Sequence, residues 1–130
     1  MPITIVMNQE AGYFVSHYKR AITDADLLND WKSIFNSGDW IPDTNELADL
    51  SEADLNSLTT DGIRALADYF NSMSTKKINV TSMKKTAIYA PNTLNFGLAR
   101  MYGVFAFESS QNIEIFYERE EAIQWLRNDK

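Results

Sequence analysis

The stretch Thr86 to Glu108, TAIYAPNTLNFGLARMYGVFAFE, constrains this chain more than any other, because it writes a strand, a stop and a helix without interruption. Ala87-Ile88-Tyr89-Ala90 is short, apolar and β-prone, as an interior strand requires. Pro91 ends it, having no amide to give to a ladder. Asn92 and Thr93 each offer a side-chain oxygen to the open amides of a helix start. Leu94, Leu98, Met101, Tyr102 and Phe105 then repeat at helical spacing, which predicts a helix over 94–107. Leu94, Leu98, Met101 and Phe105 share one stripe, so the spacing predicts that this stripe packs on a sheet.

The rest of the chain alternates in the same way. Ile3, Ile5 and Met7 alternate with Thr4 and Val6, Gln9-Glu10-Ala11-Gly12 supplies a reversal, and Tyr13 to Arg20 alternates again, which predicts a β-hairpin. Thr23 with Asp26 three residues on resembles a capping box, and Leu27, Leu28, Trp31, Ile34 and Phe35 form the stripe of a helix over 24–37 that Gly38 ends. Asn45 to Leu50 reads as a third strand. Ile63, Leu66, Ala67, Phe70 and Met73 mark a helix beginning near Thr59 or Thr60, and a lysine-rich loop follows. Ile113, Ile115 and Tyr117 give a last strand, and Ala122, Ile123, Trp125 and Leu126 a last amphipathic helix. The predicted order is ββαβαβαβα, an α/β fold with a mixed sheet of about five strands and about four helices.

A length of 130 residues suits one domain, 1–130, with one hydrophobic core. Hydrophobic residues at 45% put the chain among folded proteins rather than disordered ones. With Cys 0 there is no disulfide framework, thiolate nucleophile or cysteine zinc site. The amino terminus has no basic residue before Lys19 and no solid apolar block, so it does not read as a signal peptide, and the cytoplasm is the expected location. The longest solidly apolar piece, Val104 to Phe107, is far below the ~18 residues of a membrane span, so stable membrane insertion is not expected.

The net charge of −6 argues against nucleic acid as a partner. The charges are nevertheless sorted. Asp39, Asp43, Glu46, Asp49, Glu52, Asp54 and Asp61 fall in a run without Lys or Arg, whereas Lys76, Lys77, Lys84, Lys85 and Arg100 fall in a stretch without acids. Such sorting suits two poles, and with exposed aromatics such as Trp40 or Tyr102 it predicts a symmetric homodimer; dispersed surface charge is the plainer alternative.

Chemistry is hard to find. His17, the sole histidine, lies in a strand with no acid at fixed spacing to orient it as a base. Asp43, Glu46 and Asp49 lack the glycine and ligand order of a calcium loop and read as a solvated acidic edge. No Gly-x-Ser-x-Gly elbow and no phosphate-cradling glycine cluster occurs. The expectation is therefore no enzyme, no catalytic residues, no metal and no cofactor. Gly97, Ala99 and Gly103 are small residues inside the 94–107 helix, where glycine costs about 0.8–1.0 kcal/mol against alanine. With Arg100 and Tyr102 they mark a face for close packing, for an interface or for a bound apolar molecule.

Ala90-Pro91, Leu94, Phe96-Gly97-Leu98-Ala99-Arg100-Met101-Tyr102, then a short strand and a helix with Glu121-Ala122 and Trp125-Leu126, together resemble a group of small bacterial proteins. These belong with the STAS-like domains, named for sulfate transporters and anti-sigma-factor antagonists. The resemblance spans nearly the whole chain in element order, and residues 86 to 126 in detail. It implies a STAS-type α/β fold, related in shape to CRAL-TRIO lipid-carrier domains, in a group of mostly unknown function. The role it implies first is a non-catalytic regulatory or protein-interaction module; the alternative is a carrier of a small hydrophobic or lipid-like ligand.

Partner-switching members of the wider family are phosphorylated in an Asp-Ser-Ser-Gly-Leu type motif at the start of the helix after the third strand. Thr59-Thr60-Asp61-Gly62-Ile63 is similar, with Thr60 for the acceptor hydroxyl, Gly62 matching and Ile63 in the apolar place. The leading acid is missing and the preceding loop is longer, while Asp61 puts a fixed carboxylate where a phosphate would be attracted. Thr60, Asp61 and Gly62 are thus a candidate switch or partner-binding site, and a plain helix cap by Thr59 or Thr60 is the competing reading.

Overall fold

Gly12 sits at φ +75°, a backbone that L side chains rarely adopt, and the chain turns there between β1 (Ile3–Asn8) and β2 (Tyr13–Ala21). These strands pair antiparallel, as the predicted hairpin requires. The computed structural model describes residues 2–8, 12–37, 44–76, 84–106 and 111–128. After the hairpin come α1 (Asp24–Asn36), β3 (Asn45–Asp54), α2 (Thr60–Lys76), β4 (Lys84–Tyr89), α3 (Thr93–Phe105), β5 (Gln111–Phe116) and α4 (Arg119–Arg127). The predicted order ββαβαβαβα holds, with five strands and four helices among the described residues. The expected reversal at Gln9-Glu10-Ala11, the stop at Gly38, the charges Asp39, Asp43 and Lys77, the aromatic Trp40 and the helix end at Phe107 lie outside the described residues.

The strands lie side by side in chain order, β1 to β5, and every pair after the hairpin is parallel. When each crossover advances the sheet in the same direction, the right-handed rule puts every connecting helix on one face. The core agrees. Leu27 and Trp31 of α1, Leu66 and Phe70 of α2 and Ala99 of α3 pack with Phe14, Tyr18, Ala48 and Ile88 on one side of the sheet. Ala122 and Leu126 of α4 pack with Tyr13, Val15, Leu47 and Ala87 on the other.

Caps fix the helix starts. Thr23 Oγ1 accepts the Asp26 amide at 3.1 Å, and Asp26 Oδ2 accepts the Thr23 amide at 3.1 Å, completing the capping box predicted for α1. Asn92 Oδ1 accepts the Asn95 amide at 2.8 Å and caps α3. Asp24 at the head of α1 reaches across to the head of α2, taking the Thr59 amide at 2.9 Å and the Thr59 hydroxyl at 2.6 Å.

Three expectations need correction. β3 continues to Asp54 instead of stopping at Leu50, because the long β2 pairs Lys19, Arg20 and Ala21 with Glu52, Ala53 and Asp54 beyond an irregularity at 17–19. Backbone pairing of this kind leaves no apolar signature.

The seat of α3 is also different. Leu94 is 47% exposed, Leu98, Met101 and Phe105 are half-buried, and the fully buried side chains of the helix are Asn95 and Ala99. Small residues bring the helix axis close to the sheet, and Asn95 Nδ2 donates to the carbonyls of Leu50 at 3.3 Å and Ala53 at 3.2 Å. The buried amide thus donates to two carbonyls of β3, which a leucine in its place could not serve.

Finally, Glu46 belongs to no solvated edge: it is 3% exposed. It points to the same sheet face as Ala48 and Leu50, beneath the helices.

Candidate functional site

Small residues on facing elements leave space between the sheet and α1, α2 and α3. Ala48 of β3 and Ala99 of α3 both line a pocket of about 70 Å³, together with Ile88, Leu27, Trp31, Leu66 and Phe70. Most of the wall is apolar. One part is not, since Tyr18, Glu46, Thr86, Tyr102 and Gln111 also line it.

The sheet register assembles that polar patch. Glu46 pairs with Thr86 across β3 and β4, Ser16 of β2 stands opposite Ala48, two residues past Glu46, and Gln111 opens β5 beside Lys84. Ser16 is wholly buried and its hydroxyl donates to Glu46 Oε2 at 2.6 Å. The Thr86 hydroxyl donates to Gln111 Oε1 at 2.9 Å, and Gln111 Nε2 reaches the Tyr102 hydroxyl at 3.4 Å. Trp31 Nε1 donates to the Tyr18 hydroxyl at 2.9 Å. Burial raises both tyrosine hydroxyls well above the ordinary range, and the Glu46 carboxyl raises them further, offset in part by hydrogen bonds from Trp31 to Tyr18 and from Gln111 to Tyr102. Tyr102 is half-buried as a residue, but its hydroxyl end sits in this desolvated patch. It is thus a wall of the pocket and not the exposed aromatic expected from the sequence.

Of the residues singled out from the sequence, Ala99 and Tyr102 line the pocket. Gly103 turns toward β5, where a methyl would sit 3.7 Å from Ile113 and 4.0 Å from Ile115. Gly97 and Arg100 are exposed, with nothing within 4 Å of a methyl built at Gly97. Thr60, Asp61 and Gly62 form the first turn of α2, apart from the pocket wall, which takes only Ile63 from this motif. Thr59 makes the cap, its hydroxyl oxygen accepting the Gly62 amide at 3.1 Å, while Thr60 and Asp61 are exposed. Gly62 is buried against Asp24, whose carboxyl a methyl group there would overlap. His17 Nδ1 lies 3.8 Å from Asp49 Oδ2, a pairing made by strand register that linear spacing could not reveal.

Sequence reasoning missed Ser16, Glu46, Thr86 and Gln111. The one available signal was the alternation of Glu46 with Ala48 and Leu50, which assigns the carboxyl to an apolar face. Among the described residues no three His, Asp or Glu side chains gather where they could hold a metal ion, and no helix is long and apolar enough to cross a membrane.

The architecture defines a class, the SpoIIAA-like or STAS-like α/β fold. A solved structure with the same architecture is that of an uncharacterised protein of the DUF3478 family from Shewanella loihica PV-4, described as having a SpoIIAA-like fold. It is 19% identical, covers 95% of this chain and 91% of its own, and superposes with a TM-score of 0.54. This likeness bears on the STAS-type fold and says nothing of kinship to CRAL-TRIO domains. No protein-family model and no curated protein matches the chain.

Proposed function

We propose that this chain is a non-catalytic binding module of STAS-like fold that takes a small, largely apolar molecule between its sheet and α1, α2 and α3. The observation that carries the reading is the pocket itself. A close-packed core has few voids larger than a water molecule, whereas this space of about 70 Å³ is several times the ~10–15 Å³ that a single water requires. From the sequence the regulatory interaction module came first and ligand uptake second; the unfilled space beside α3 supports uptake. The same magnitude narrows the occupant to a small ring or short chain, since clefts for drug-sized ligands run to ~300–1,000 Å³. Among the described lining residues Leu58, Leu98 and Tyr102 are half-buried and the others buried, which favours a way in between the segment before α2 and α3.

Native mass spectrometry of the purified protein, with toluene titration followed by amide NMR shifts, tests this reading. A co-purifying small mass or saturable shifts around Ala48, Ile88 and Ala99 is expected. Ala99→Leu fills the space and should abolish those shifts while leaving the protein folded. No bound mass and no saturable shift would reject uptake. Assays on esters, phosphates and nucleotides should be blank, and turnover that disappears in His17→Ala would overturn the non-catalytic half.

A further inference from the structure

The polar part of the pocket wall is a run of hydrogen bonds with a direction. Thr86 Oγ1 lies 2.9 Å from Gln111 Oε1, and an amide oxygen can only accept, so the Thr86 hydroxyl is the donor. At the other end of that amide the nitrogen can only donate, and it reaches the Tyr102 hydroxyl oxygen at 3.4 Å. Each member passes a hydrogen on, and the run ends at the Tyr102 hydroxyl, which lines the space and has a hydrogen of its own to give. Among the described residues no acceptor takes it. We propose that the occupant does: it presents a neutral acceptor oxygen, that of a ketone or amide carbonyl, to the Tyr102 hydroxyl and lays its apolar body against Ala48, Ile88 and Ala99. The inference deepens the uptake reading and rests on it.

The other polar groups of the wall are engaged within the protein. Ser16 Oγ holds Glu46 at 2.6 Å, and the Tyr18 hydroxyl accepts from Trp31 Nε1 at 2.9 Å and is hydrogen-bonded to Ser16 as well. Tyr102 feels Glu46 through its field and not through a hydrogen bond. Burial above all, and that field after it, raise the Tyr102 hydroxyl well above the ordinary tyrosine range against the lowering by Gln111, so its hydrogen is in place throughout the neutral range. A hydroxyl that already accepts a bond is the better donor, because hydrogen bonds in a chain polarise one another, and a donor without an acceptor is costly where water is excluded.

Charged head groups fit less well. An ammonium brings hydrogens to a group that calls for a lone pair. A carboxylate brings lone pairs, but the Glu46 field that raises Tyr102 also opposes a second negative charge beside it.

Cyclohexanone and methylenecyclohexane share one shape, differ only in a carbonyl oxygen against a methylene, and match toluene in size. Their affinities, read by amide NMR titration in the unaltered protein and in Tyr102→Phe, form a cycle that cancels the ketone's greater cost of leaving water. Loss of one hydrogen bond should lower the ketone-to-alkene affinity ratio about two- to tenfold in Tyr102→Phe. The carbonyl stretch of bound cyclohexanone, read by infrared spectroscopy with the unaltered protein in excess, should lie below its frequency in an alkane solvent. A ratio that Tyr102→Phe leaves unchanged, a stretch at the alkane frequency, methylenecyclohexane binding where the ketone does not, or cyclohexanecarboxylate binding as tightly as cyclohexanone overturns the head-group inference while uptake stands. Failure of all three and of toluene to bind overturns uptake and this inference together. The stretch in the unaltered protein decides the matter even where Tyr102→Phe does not fold.

Discussion

At the scale of single residues, glycines that look alike in the sequence have opposite reasons. Gly97 faces open space on α3, so Gly97→Ala should stabilise the protein by about 0.5–1 kcal/mol through helix propensity alone. Gly62→Ala should do the reverse. Its methyl would displace the Asp24 carboxyl that holds the Thr59 amide and hydroxyl, and the loss of those bonds, about 1–3 kcal/mol, exceeds the propensity gain. Urea unfolding of the two variants checks both signs, and a stabilised Gly62→Ala would refute the clasp between α1 and α2. The buried tyrosines make a prediction in pH. Tyrosine in an unfolded chain ionises near pH 10, whereas Tyr18 and Tyr102 are both raised above that value in the fold. The folded state therefore holds these protons more tightly. Their contribution is complete below about pH 10 and is lost as pH climbs above it. Stability measured by urea from pH 9 to 11.5 should fall steeply, and Tyr18→Phe should flatten the fall; an unchanged slope in that variant would count against the desolvated patch.

At the scale of elements, α3 shows how a correct helix can be read with the wrong face inward. Asn95 sits where an apolar residue is expected, and its amide closes the carbonyls of Leu50 and Ala53, whereas Leu94 next to it is exposed. Asn95→Ala should cost about 1–3 kcal/mol by leaving two β3 carbonyls without that donor, and Leu94→Ala less than about half a kcal/mol. Equal losses in urea unfolding would restore the leucine stripe as the seat. The element order was legible because hairpin chemistry, capping residues and helical periodicity are local signals, as at Gly12, Thr23 and Asn92. The pocket was not legible, because parallel strands covered on both faces lose the contrast between inward and outward residues. In β3, Leu47 is buried toward α4 while Glu46 and Ala48 are buried toward α1, α2 and α3, so a carboxyl in the interior has the same neighbours in sequence as one at the surface.

At the scale of the whole molecule, some of the sorted charges among the described residues are drawn inward, while Glu52, Asp54, Asp61 and Arg100 stay exposed. Of the acidic run, Glu46 lies in the pocket wall, Asp49 is half-buried beside His17, and Asp54 accepts from Asn56 at 3.0 and 2.7 Å. Of the basic stretch, Lys85 is half-buried and donates to the Trp125 carbonyl at 3.0 Å and to that of Asn128, at the carboxyl end of α4 where a cation is favoured. The outward side of α3 is apolar instead: Leu94, Gly97, Met101 and Val104 follow one another at helical spacing, and Val104 is 73% exposed. Pairing of two copies, as the sequence predicts, would draw on this stripe for its stable part. Surface ion pairs contribute only about 0–1 kcal/mol each, and salt at 1 M cuts the Debye length to about 3 Å, so a charge-held dimer loosens with salt whereas one held by apolar burial does not. Sedimentation at micromolar concentration should accordingly give the same mass in 0.05 M and 1 M salt, and Val104→Lys should shift any dimer toward monomer at both. A dimer that dissociates between the two salt concentrations would show that charges, and not the α3 stripe, hold the copies together.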